Sequence, residues 1–161
     1  MIRITVSVYL IAAALILAGC GAMGQTEPGL LDQGGYQQEF LEAKAQLELP
    51  PGFKFPGEVP DTGGAWVEEG GGVAHAQSYW EHVWTTEWLE QRGKDEARAE
   101  KALHMLKYVI PEGEFMREKL DQAGRDLHAE NVRKAELGDP SGFQHFVTVN
   151  PMSLYRTADE Q

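Results

Sequence analysis

The chain is poor in cysteine and in positive charge, and each shortage excludes a class of function. Cys20 is its single cysteine, so no disulfide can form within one molecule and the fold must rest on packing. Lys and Arg number 14 against 25 Asp and Glu, a formal net charge of −11 at pH 7. Such a field repels phosphate backbones and anionic headgroups, which argues against a nucleic-acid partner and against electrostatic adsorption to a membrane. The usual marks of catalysis are missing too. The histidines, His75, His82, His104, His128 and His145, form neither His-x-x-x-His nor His-Glu-x-x-His, so no metal is expected. On one helix His75 and His82 would stand about 10 Å apart, too far to share an ion unaided. Ser78, Ser141 and Ser153 lack the Gly-x-Ser-x-Gly elbow of a nucleophile. Gly70-Gly71-Gly72 continues into neither a phosphate loop nor a dinucleotide loop, and the acids before it oppose an anion. No cofactor is expected.

What is present begins at the amino terminus. Arg3 leads into an apolar run from Ile4 to Leu17, which closes on Leu17-Ala18-Gly19-Cys20. The run is short for a bilayer span and ends in small residues, the pattern of an export signal that is removed. Its last four residues resemble the lipobox of bacterial lipoproteins. The resemblance covers residues 1–20 and implies a diacylglyceryl group on the Cys20 thiol, with cleavage just before it. It places the protein on the extracytoplasmic side of the cell membrane, or at the outer membrane of a two-membrane organism, since Gly21 is not the inner-membrane retention aspartate. The alternative is that Cys20 is an ordinary residue in an uncleaved helix or in a plain secretory signal. Two or three acyl chains hold a protein stably where one does not, so lipid on Cys20 would need no further membrane segment. Beyond Cys20 the chain has only the general look of small envelope lipoproteins.

Removing residues 1–19 takes away Arg3 and leaves 13 Lys plus Arg against 25 Asp plus Glu, a net charge near −12. About 142 residues remain, the size of one domain with a real core. Residues 20–35 are glycine-rich without periodicity and read as the lipidated cysteine and a flexible tether. A single domain is expected over residues 36–150, followed by a tail at 151–161. Tyr36, Phe40, Ala43 and Leu47 recur at helical spacing up to Pro50-Pro51, which end the helix. Residues 50–72 carry four prolines among many glycines and form a long irregular connection. From about Val73 to Gln91 a second helix bears Trp80, Trp84 and Trp88 on one stripe. Lys94 to Val109 continues at helical spacing to Pro111. A last helix from Glu112 to Leu137 turns Phe115, Met116, Leu120, Ala123 and Leu127 inward, with Arg117/Asp121, Asp121/Arg125 and Glu130/Lys134 as outer pairs. Phe143 to Val149 alternates in polarity and reads as an extended arm or a single strand, with Ala65-Trp66-Val67 its one candidate partner. The fold class is therefore mainly α, a small helical bundle with a long Gly/Pro loop and a C-terminal arm or strand.

The tryptophan stripe invites a carbohydrate platform, but magnitude favours the core. Each Trp buries about 150–250 Å², worth roughly 4–6 kcal/mol of gross burial. A small disulfide-free domain would not leave three such anchors in water. Trp66 differs, because it sits between Gly63-Gly64 and Glu68-Glu69-Gly70. The loop from Asp61 to His75, with Trp66, Glu68, Glu69 and His75, is the candidate wall of a ligand groove. Equally, Trp66 could plug the bundle. Two functions follow. The first is a lipid-anchored, non-catalytic binding or adaptor module of the bacterial envelope, with the membrane as partner through Cys20 and an envelope protein or glycan as ligand. The second is a small envelope enzyme or carbohydrate-binding domain using the loop around Trp66.

Overall fold

The computed structural model describes residues 29–155, so the signal, Cys20 and the last six residues lie outside the described part. Within it the chain is mainly helical, as its periodicity requires. In order come β1 (Leu30–Leu31), α1 (Gln33–Lys44), β2 (Val67–Glu68), α2 (Gly71–Gln91), α3 (Glu96–His104), α4 (Gln122–Glu136) and α5 (Ser141–Val149). α3 runs on through a π-helical turn at Met105–Val109 and a 3-10 turn at Ile110–Glu112, and a second π turn covers Phe115–Lys119. A helix start leaves backbone N–H groups without partners, and three aspartates answer that need. Asp32 accepts from the Gly35 N–H, Asp95 from Arg98 and Asp121 from Gly124, at 2.8, 3.1 and 2.8 Å.

α2 is the axis of the bundle, packed against α1, α3 and α5. Every residue from Tyr79 to Thr85 is buried, so it is enclosed on all sides rather than along one stripe. Trp80, Trp84 and Trp88 are 4, 1 and 5 % exposed, which makes the stripe core. The indole N–H groups of Trp80 and Trp84 both donate to the carbonyl of Glu48, just before the Gly/Pro connection, at 2.7 and 3.0 Å. The Tyr79 hydroxyl donates to the Lys54 carbonyl at 2.6 Å. The connection is a strap, pinned from its other side by α1. Gln37 accepts from the Val59 N–H, Gln33 accepts from the Thr62 N–H, and Lys44 donates to the Pro56 carbonyl. α3 docks through Arg98, whose guanidinium grips the buried Glu87 carboxylate at 2.7 and 2.9 Å.

Several boundaries differ from the sequence expectation. Phe143 to Val149 is not an arm or a strand but the core of α5. Phe143 and Phe146 lie three apart, and their rings meet Trp88 and His82 on the α2 side; over so short a stretch, alternation and helical spacing share these positions. β2 pairs antiparallel with β1, Leu31 opposite Val67 and Leu30 opposite Glu68. The last residues assigned to the tether, 29–35, thus belong to the ladder and to α1. At the other end Tyr155 is buried with Tyr79 and Val83, so the domain runs past 150. The helix expected over 112–137 breaks at Leu120, which is extended (ψ 135°). Asp121 caps α4 instead of pairing with Arg117 or Arg125, and Glu130 pairs with Arg133 rather than Lys134. The break resets the helical phase: Ala123 and Leu127 turn outward, while His128, Asn131, Val132 and Ala135 face inward.

Candidate functional site

The residues expected to form a groove are divided between two settings. Trp66 is 52 % exposed in the irregular chain just before β2. Glu68 is exposed on β2, and Glu69 is exposed beside it, its N–H bonded to the Gly29 carbonyl and its carbonyl accepting from Lys119 at 2.9 Å. His75 joins the aromatic interior instead: its ring meets Tyr36, Phe40 and Tyr155 edge-on. Nδ1 lies 3.0 Å from the Tyr36 hydroxyl and Nε2 3.4 Å from the Tyr155 carbonyl. A neutral ring with Nδ1 accepting and Nε2–H donating satisfies both. Burial holds the imidazole below its ordinary pKa, and the Tyr155 carbonyl only partly offsets it.

The glycine triplet also has a settled occupant. Gly70 takes φ +87°, a conformation that favours glycine, and opens α2 without a side-chain cap of its own. The Glu39 carboxylate reaches across from α1 and accepts from the Gly70 N–H at 2.9 and 3.0 Å and from Gly72 at 3.0 Å. The amides that would cradle a phosphate already hold an internal anion.

A polar centre that the sequence did not disclose lies between α2, α4 and α5. Glu81 and His128 are both buried, and His128 Nδ1 is 2.7 Å from Glu81 Oε1 while Nε2 is 2.8 Å from the Leu106 carbonyl. Both partners are acceptors, so the imidazolium form donates to each. Burial alone would depress the His128 pKa; the bond and charge of Glu81 and the Leu106 carbonyl outweigh it and raise it. Beside the pair opens a cavity of about 230 Å³. Its apolar wall includes Phe115, Met116 and Leu120, and its polar side is Ser78, Glu81, Asn131 and Tyr155. Burial and the nearby Glu81 charge push the Tyr155 phenol up to about 12, so it stays a neutral hydroxyl. Asn131 is 6 % exposed. α5 closes on its carboxamide because residue 142 is glycine; a Cβ there would strike Asn131 Oδ1.

This arrangement suits binding better than nucleophilic catalysis. A general base must offer its free imidazole nitrogen to a hydroxyl, and His128 spends Nε2 on a backbone carbonyl. No group of three or more metal-ligating side chains occurs among the described residues, and no described helix is long and apolar enough to cross a membrane. Fold and site together define a small helical bundle wound around one buried helix, with a polar-sided cavity at its flank. No protein-family model, curated protein or solved structure matches the chain.

Proposed function

We propose that this protein is a lipid-anchored binding module of the bacterial envelope, held on the extracytoplasmic side through Cys20, that takes a small uncharged ligand into the cavity beside Glu81 and His128. The observation that carries the ligand is the meeting of four polar side chains, Ser78, Glu81, Asn131 and Tyr155, with an apolar wall in one concavity. A concavity with an apolar wall and a few convergent polar groups is the ordinary form of a small-molecule site. The Glu81–His128 pair is neutral as a unit, so a charged guest would remain uncompensated. Hydroxyl and amide groups on a compact apolar body are matched instead, the chemistry of an N-acetylated sugar. At about 230 Å³ the cavity is smaller than the roughly 300–1,000 Å³ of drug-sized sites, which limits the guest to one ring-sized unit. An envelope glycan is the partner class this favours. The occupied Nε2 of His128 supports binding over the enzymatic alternative.

Thermal unfolding of the full-length protein in detergent tests the ligand. N-acetylglucosamine should raise Tm in the wild type and not in Asn131→Leu, whereas glucuronate and glucosamine should leave both unchanged. No shift with the neutral sugar, or equal shifts with all three, overturns the assignment. The anchor is tested separately: Cys20→Ser should release the protein from membranes or leave an unprocessed precursor, and unchanged fractionation with full cleavage refutes lipidation.

A further inference from the structure

On the opposite side of His128 and Met116 from the cavity lies a second concavity of about 360 Å³, between the chain around Lys107 and Pro111 and helix α4. Its composition runs against the rest of the molecule. In a chain of net charge −11, the groove carries Lys107, Arg125 and Arg133 against one acid, Glu136. Its floor, with Met116, Ala129 and Val132, is apolar. Two of the cations are already matched, Lys107 by Glu136 and Arg133 by Glu130. Arg125 is not: its guanidinium donates to the Leu120 carbonyl, at 3.5 Å to the Met116 carbonyl and, at 3.0 Å, to Gln122 Oε1, and no carboxylate of the described residues lies within ion-pair distance. Those three bonds, all to neutral acceptors, fix the guanidinium at the break before α4, without an ion-pair partner among the described residues, beside an apolar trough.

We propose that this groove is a binding site for an amphiphile with a single carboxylate head, a medium- or long-chain fatty acid, with the head on Arg125 and the alkyl chain along Met116, Ala129 and Val132. Charge and shape each contribute one part of the recognition. A planar guanidinium pairs with a carboxylate in bidentate fashion, and an apolar floor favours an alkyl chain over a purely polar anion. The site does not depend on the ligand proposed for the cavity, although the two share the His128–Met116 wall.

The test is titration calorimetry of the full-length protein with sodium laurate below its critical micelle concentration, with dodecanol as the uncharged control. One laurate per chain should bind, at least tenfold tighter than dodecanol. Arg125→Gln should weaken laurate at least tenfold, and Ala129→Trp, which fills the groove from an exposed position, should do the same. Asn131→Leu, on the cavity side, should leave laurate affinity unchanged. Equal affinity for laurate and dodecanol overturns the assignment of the head. Undiminished laurate binding in Ala129→Trp with native thermal unfolding overturns the groove, as does binding to anionic phosphatidylglycerol vesicles without binding of monomeric laurate.

Discussion

At the scale of single residues, the Thr85 side chain on the buried helix α2 has a chemistry at odds with its place. The Thr85 hydroxyl is fully buried and has no hydrogen-bond partner among the described residues. An unmatched buried hydroxyl costs about 1–3 kcal/mol of desolvation, and an isosteric apolar replacement removes that cost. Thr85→Val should therefore raise stability in urea unfolding by about 1 kcal/mol; a loss would mean that the hydroxyl has a partner such as a buried water. Glu39 is the converse, a carboxylate whose three contacts to the glycine amides begin the central helix. Glu39→Gln removes the charge but keeps one acceptor, and should cost about 1 kcal/mol in the same measurement. Neither role is written locally in the sequence. Glu39 stands 31 residues before Gly70, and only the docking of α1 on α2 brings them together.

At the scale of elements, close approach sets the geometry. Gly72 lets α1 lie against the start of α2: a Cβ there would come within 2.5 Å of the Tyr36 carbonyl oxygen and 2.6 Å of the Phe40 nitrogen. Backbone cannot yield as a side chain does, so Gly72→Ala should destabilise by about 2–3 kcal/mol, measured by urea unfolding. Much at this scale was legible beforehand. The mainly helical class and the tryptophan face of α2 follow from periodicity, whereas α1 ends at Lys44, before Pro50 is reached, and Pro111 lies inside the 3-10 turn Ile110–Glu112 rather than stopping the helix. The strap was legible as irregular chain but not as structure, because its contribution is its carbonyls, which every residue carries and no side-chain pattern reveals. The cavity was hidden for a different reason. One extended residue, Leu120, shifts the phase of α4, so that a continuous helix drawn from Phe115 turns Leu127 inward, whereas Asn131 and His128 are the buried residues. The one sequence sign of that break is Asp121 three residues before Gly124, a cap pattern embedded in an otherwise unbroken amphipathic run.

At the scale of the whole molecule, two histidines oppose each other across pH. His75 has a folded pKa below the ordinary 6.5, so the unfolded chain binds a proton first as pH falls below 6.5, and stability is lost on that side. His128 has a folded pKa above 6.5. Its contribution is complete below 6.5 and is lost as pH rises from there through the raised value. Unfolding free energy measured between pH 5 and 8 should show a maximum near 6.5. His75→Phe should flatten the acid limb and His128→Gln the alkaline limb; parallel curves for wild type and both variants would contradict the assigned protonation states. The last consequence is mechanical. The amino-terminal segment enters the domain at the two-residue ladder of Leu30–Leu31 on Val67–Glu68, reinforced by the Glu69 N–H on the Gly29 carbonyl at 2.9 Å. A pull transmitted from that side meets this ladder before it meets the tryptophan core. Asp32, just beyond, caps α1 by accepting from the Gly35 N–H, so the start of α1 is held without the ladder, and parting the two short strands would leave the bundle closed.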